Sequence, residues 1–146
     1  MQDFRFVMPY RVRVADINYG GHVSNAAVLN YFQDARIAYL AALGPYSELA
    51  IGGGRGLIMP ESHVRYHAEM FLGDDLLIGV RAVRLGRSSF ELAYRIARGE
   101  ELTVEGTTPL VAFDYTARKP RRLPPEFRHA IESYDAPAAS APAEPC

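Results

Sequence analysis

One long helical pattern, followed by a series of strand patterns, limits the folds open to this chain. Apolar residues recur at spacings of four, three, four and four, which is the period of an amphipathic helix. These residues are Val28, Phe32, Ala35, Tyr39 and Leu43. Ser24 or Asn25 stands at the expected N-cap, and Gly44 followed by Pro45 ends the pattern. The sequence therefore predicts one helix between these limits.

Apolar residues at period two, typical of β-strands, occur before and after the helix. We predict strands over residues 4–14, 58–66, 76–85, 90–96 and 102–115. The short connections between the last four of these strands, such as Gly73-Asp74, favour antiparallel neighbours. This order predicts an α+β fold in which a curved antiparallel five-stranded sheet wraps around one long central helix.

The length of the chain is that of one ordinary domain. With 146 residues, 49% of them hydrophobic, residues 1–134 are predicted to form a single domain with one core. Pro124 and Pro125 begin a predicted C-terminal helix that reaches Tyr134. Residues 135–146 are rich in proline and alanine, and we predict a disordered tail there.

Charge and cysteine content exclude several classes of function. A formal net charge of -1 disfavours nucleic acid and anionic membrane surfaces as partners. Charged residues interrupt the apolar N-terminus, so neither a signal peptide nor membrane insertion is expected. Cys146 is the single cysteine, which fits a cytoplasmic protein without an internal disulfide. His63 and His67 lack an evident third ligand, so no metal site is expected.

The loop before the helix carries the most distinctive motif. It reads D-x-N-x-x-G-H-V-x-N over residues 16–25, and the following helix contains F-Q-D-A-R. This combination resembles the hotdog-fold acyl-CoA thioesterases, the group that includes 4-hydroxybenzoyl-CoA thioesterase. Y-x-x-x-x-x-x-G-D at 66–74 and G-R-S-S-F at 86–90 extend the likeness, which covers about residues 10–124.

The resemblance implies a hotdog fold and the hydrolysis of an acyl-CoA thioester. It implies no cofactor, since coenzyme A is part of the substrate. It also implies a homo-oligomer, a dimer or a tetramer, with active sites at the dimer interface beside the helix N-terminus. Pairing of the sheets edge to edge would remove an open strand edge.

Two amides depart from the patterns of this group. Asn18 stands where the 4-hydroxybenzoyl-CoA branch has its catalytic aspartate, and an amide cannot take a proton at neutral pH. Gln33 stands where a second branch has a catalytic acid within the helix. Asp34, next to it, is a further catalytic candidate, although the helical period places it opposite the apolar stripe, where a solvated carboxylate is expected. Either another residue supplies the base, or the protein is an altered catalyst.

The loop offers two other groups for thioester hydrolysis. The backbone N–H of Asn25, at the positive end of the helix, is the predicted donor to the oxyanion. His22 is the predicted base or water-orienting group, because the helix terminus favours its neutral form; a structural role is the alternative. Asp16 either holds this imidazole or pairs with Arg36, a charge that the helical period places near the apolar stripe.

Several residues are predicted to bind substrate. Tyr19, in the loop, is expected to touch it, and Gly21 leaves room for a thioester near the backbone. Two basic turns could bind the phosphates of coenzyme A, although each could equally be an ordinary solvated turn. Their candidate residues are Arg87, Ser88, Ser89, Arg118 and Lys119.

Two other functions remain open at this point. A hotdog hydratase or dehydratase has a loop D-x-N-P-x-H, which Asp16, Asn18 and His22 approach, but here the histidine comes one residue later and the proline is absent. The second alternative is a non-catalytic acyl-CoA-binding protein, favoured by the amides at Asn18 and Gln33.

Overall fold

The predicted helix is present with the expected bounds. A computed structural model describes residues 1–139, and its longest helix, α1, spans Asn25–Leu43. Ser24 is the N-cap, and its hydroxyl accepts a hydrogen bond from the N–H of Ala27 at 3.1 Å. None of the helices in the described part of the chain is long and apolar enough to span a membrane.

A curved sheet, antiparallel in all but one short pairing, packs against α1, which confirms the predicted architecture. Five strands follow one another across it in the order β1-β4-β5-β6-β2, and three short strands pair with β6 or β4. The strands are β1 (Phe6–Arg11), β2 (Gly56–Ile58), β3 (His63–Tyr66), β4 (Asp75–Leu85), β5 (Ser89–Arg98), β6 (Glu101–Asp114), β7 (Lys119–Pro120) and β8 (Ala138–Ala139).

The strand predicted over residues 58–66 is divided in two. Both β2 and β3 pair antiparallel with β6, but residues 59–62 between them belong to neither strand. Pro60 lies in this gap, and proline has no N–H to donate to a neighbouring strand. The prediction of one continuous strand is therefore wrong, although its two ends lie beside the same neighbour.

The C-terminal helix is also confirmed. This helix, α2, spans Pro125–Asp135 and packs Phe127 against Phe90 of β5 in the core. Beyond it, Ala138 and Ala139 pair with β4 in parallel, within the segment predicted to be disordered. Residues 140–146 of that segment lie outside the described residues.

The structure corrects one predicted ion pair. Arg36 is buried in the core, where its Nε donates to Glu48 at 3.0 Å and its Nη1 donates to the hydroxyl of Tyr94 at 3.1 Å. Asp16 is not its partner. At 1.5 Å per residue, Arg36 lies about 16 Å along the helix axis from Asn25, too far from the loop that holds Asp16.

Candidate active site

A cavity of about 200 Å³ opens where α1 begins. The loop of residues 16–24 and the start of α1 form one side, and β3 with the segment after it forms the other. The backbone N–H of Val23 donates to the carbonyl of Met70 at 2.8 Å and joins the two sides. The lining residues are His22, Val23, Asn25, Val28, Tyr66, His67, Ala68, Glu69 and Met70.

His22 is the predicted residue that the structure places most favourably. Its Nδ1 lies 3.2 Å from the carbonyl oxygen of Val23, and its Nε2 lies 3.4 Å from a carboxylate oxygen of Glu69. Both neighbours can only accept a hydrogen bond, so we assign the proton of the neutral ring to the shorter contact, Nδ1 with Val23, which leaves the lone pair on Nε2 to take a proton. The His22 side chain is 33% exposed and therefore accessible to water.

Asn18 shapes the loop and does not line the cavity. Its side-chain oxygen accepts the N–H of Gly20 at 2.9 Å, and its own N–H donates to the carbonyl of His22 at 2.9 Å. Gly21 continues the turn with a φ of 85°, a conformation that favours glycine. The amide at position 18 thus holds the turn that presents His22.

Asp16 is an anchor for the loop. One of its carboxylate oxygens accepts from the hydroxyls of Tyr10 at 3.0 Å and Tyr31 at 2.8 Å, and from the N–H of Arg13 at 3.0 Å. Burial opposes ionisation, but these hydrogen bonds outweigh it and lower the pKa of Asp16. The structure therefore shows Asp16 bound to two tyrosines, and neither His22 nor Arg36 is its partner.

Replacing Asp16 with asparagine is expected to reduce the free energy of unfolding at pH 7 by about 1 to 3 kcal/mol, because a charged acceptor of three hydrogen bonds is lost. The folded-state pKa is lower than the unfolded value of about 3.9. The contribution of Asp16 is therefore complete above about pH 4 and lost as the pH falls through the folded-state pKa.

Urea unfolding between pH 2 and pH 7 measures this effect. Glu132→Gln, which removes an exposed carboxylate from α2, is the matched control and should change stability little. Equal stability of the Asp16→Asn variant and the wild type at pH 7 would contradict the anchoring role.

The start of α1 supplies backbone donors at the cavity. The first N–H groups of a helix have no acceptor within the helix, and the cap of Ser24 occupies the one at Ala27. Asn25, the first residue of α1, lines the cavity. The hydroxyl of Tyr66 lies 3.4 Å from its carbonyl oxygen and closes the opposite wall.

Two predicted loop and helix residues lie away from the cavity. Tyr19 is fully exposed, at 108% of its reference area, and does not line the cavity. Asp34 is exposed on α1, as the helical period predicts for a solvated carboxylate.

The residues predicted to bind phosphate lie at the other end of the sheet. Arg87, Ser88 and Ser89 form the turn into β5, whereas the cavity lies beside the start of β6, next to the end of β5. Nine steps of about 3.3 Å along β5 separate these ends by roughly 30 Å. Arg118 and Lys119 follow β6 at the same far end. Within residues 1–139, Ser89 Oγ is buried without a hydrogen-bond partner.

Glu69 is the site residue that sequence reasoning missed. It lies within the motif at residues 66–74, but no local pattern connects it to a loop 47 positions earlier. The backbone bond between Val23 and Met70 makes that connection. In residues 1–139, no three His, Cys, Asp or Glu side chains are grouped as a metal would require.

The profile of the thioesterase-like superfamily matches residues 12–131 of the chain. The chain belongs to this superfamily. A thioesterase-like relative, the 1,4-dihydroxy-2-naphthoyl-CoA hydrolase of Synechococcus elongatus, is 27% identical over 134 residues, which cover 90% of this chain and 97% of the relative.

Solved structures place the fold of this thioesterase-like protein in the hotdog class. A thioesterase from Thermus thermophilus, solved with coenzyme A and Zn, is 30% identical, has a TM-score of 0.81, and is matched over 93% of this chain and 98% of its own. A thioesterase superfamily protein from Jannaschia is 26% identical with a TM-score of 0.79, over 94% of this chain and 87% of its own.

Proposed function

We propose that this protein is an acyl-CoA thioesterase and that His22 activates the attacking water. The observation that carries the proposal is the pairing of His22 with Glu69 in a cavity at the start of α1. Membership of the thioesterase-like superfamily and the similarity to a CoA-ester hydrolase support thioester hydrolysis. Because Asn18 cannot accept a proton, the base must come from another residue.

The proton path follows from the roles of the two ring nitrogens. A water molecule attacks the thioester carbonyl carbon and gives a proton to Nε2 of His22. The resulting imidazolium is stabilised by the carboxylate of Glu69, while Nδ1 keeps its bond to Val23. When the tetrahedral intermediate collapses, the carbon–sulfur bond breaks and the imidazolium returns the proton to the leaving thiolate.

The oxyanion of that intermediate is held by the start of α1. We assign this role to the backbone N–H of Asn25, which lines the cavity at the positive end of the helix. The backbone is suited to this role because it needs no reorganisation as charge develops on the oxygen.

A second copy of the chain would complete the binding site for coenzyme A. In the described part of the chain, β3 pairs with β6 on one side and with no strand on the other. Antiparallel pairing of two β3 strands around a twofold axis would remove this open edge. It would also bring Arg87, Arg118 and Lys119 of one copy toward the helix start of the other, where they can bind phosphate.

Release of free thiol from acetyl-, benzoyl- and palmitoyl-CoA tests the proposal. We expect turnover of at least one ester at about 1 s⁻¹ or faster, the ordinary range for an enzyme on its own substrate. Binding of the esters without release of thiol would instead identify an acyl-CoA-binding protein. Addition or loss of water at an unsaturated or 3-hydroxyacyl-CoA would identify a hydratase or dehydratase. Either result would overturn the proposal.

A further inference from the structure

A second layer of side chains lies next to the residues that line the cavity. The cavity itself lies between Val28 of α1 and Tyr66 of β3, and Tyr66 is paired with Val104 of β6. One helical turn beyond Val28 is Phe32, and two residues back along β3 is Val64, which is paired with Gly106.

Phe32 fills the space that Gly106 leaves in this second layer. A Cβ atom at Gly106 would lie 2.7 Å from the Phe32 ring and 2.6 Å from the carbonyl oxygen of His63. No other residue would leave room for the ring in this position. Phe32 is 1% exposed and does not itself line the cavity; its ring fills the layer behind Val28, which does.

Packing and hydrogen bonds hold the Phe32 ring in place. Phe32 stacks on Tyr94 with ring centroids 4.3 Å apart and an interplanar angle of 13°. The hydroxyl of Tyr94 is bound to Thr108 at 2.7 Å and accepts from buried Arg36 at 3.1 Å. Neither ring can turn aside without breaking these contacts, which opposes extension of the cavity along α1 beyond Val28.

We propose that Phe32 determines how long an acyl group this protein accepts, an inference that rests on the proposed thioesterase function. A cavity of about 150 Å³ takes up benzene, so the 200 Å³ present here has room for one aromatic ring or a short chain. A longer chain that passed Val28 along α1 would meet the Phe32 ring. The residue therefore selects compact acyl groups by excluding long ones.

Phe32→Ala tests this role with a series of straight-chain acyl-CoAs from two to sixteen carbons. The wild type should prefer the short esters. In the variant the optimum should move to longer chains, and each methylene that enters the new space should raise kcat/KM about fourfold. Three methylenes would give an increase of about sixtyfold for esters that the wild type cleaves poorly.

Leu40→Ala is the matched control, because Leu40 is a fully buried residue of the same helix, two turns further from the cavity. It should lower stability without moving the chain-length optimum. If Phe32→Ala does not fold, Phe32→Leu opens a smaller space and should move the optimum in the same direction by fewer carbons.

Binding of S-alkyl-CoA thioethers, which cannot be hydrolysed, separates this inference from the proposed function. If the wild type cleaves no ester, thioesterase activity is refuted. The affinity of the Phe32 variants for longer thioethers still shows whether Phe32 limits the length of the bound chain. An unchanged dependence of binding and turnover on chain length in both Phe32 variants would overturn the role of Phe32.

Discussion

Replacing His22 with alanine is expected to lower kcat for thioester hydrolysis by about 10²- to 10⁴-fold, the range found when a general base is removed. KM should change little, because His22 acts on the water and not on the bound ester. The geometry behind this expectation is a ring fixed at Nδ1 by Val23, with Nε2 free beside Glu69.

Glu69→Gln should have a smaller effect on kcat, since the amide keeps the shape of the side chain but cannot stabilise an imidazolium. His129→Ala is the matched control, because His129 is an exposed histidine on α2 outside the cavity. It should leave kcat unchanged.

Steady-state kinetics and thermal unfolding of the same preparations distinguish catalysis from structure. A purely structural role for His22 would lower the unfolding temperature and leave kcat per folded molecule unchanged. Wild-type kcat in a stable His22→Ala variant would refute His22 as the base.

Replacing Arg36 with methionine is expected to reduce the free energy of unfolding by about 3 to 5 kcal/mol, the cost of leaving one member of a buried ion pair alone. Arg36 is 5% exposed, and its guanidinium donates to both Glu48 and Tyr94. Methionine fills a similar volume, so the loss reports mainly on the carboxylate of Glu48, because the hydroxyl of Tyr94 keeps its hydrogen bond to Thr108.

Arg84→Met provides the comparison. Arg84 also pairs with a glutamate, Glu91, at 3.5 Å, but its side chain is 62% exposed, and such pairs contribute less than about 1 kcal/mol. Urea unfolding of both variants measures the difference. A loss of less than 1 kcal/mol in Arg36→Met would show that the buried pair does not stabilise the fold. If adding Glu48→Gln to Arg36→Met restores part of the free energy of unfolding, the two residues are coupled.

The elements of the fold could be predicted because their signals are local. The apolar spacing from Val28 to Leu43 is a property of one helix, and the period-two patterns are properties of single strands. The loop motif at 16–25 also lies within one segment, which is why it pointed to the site and to the resemblance. Pro60 is also a local signal, but the strand predicted over residues 58–66 ignored it, and the structure divides that strand in two there.

The composition of the site could not be predicted in the same way. His22 and Asn25 were predicted because both lie in the loop motif, whereas Glu69 reaches His22 only through the pairing of Val23 with Met70. The sequence suggested His22 or Arg36 as the partner of Asp16. In the folded chain Asp16 instead accepts hydrogen bonds from Tyr10 and Tyr31.

The sequence by itself determined the helix, the succession of strands, the superfamily and the residues at the start of α1. Only the tertiary structure decided which side chains meet: His22 with Glu69, Arg36 with Glu48, and Phe32 with Gly106. The reason is physical. Periodicity assigns each residue to a face of its own element, but contacts between distant segments depend on strand register and on how the core is filled.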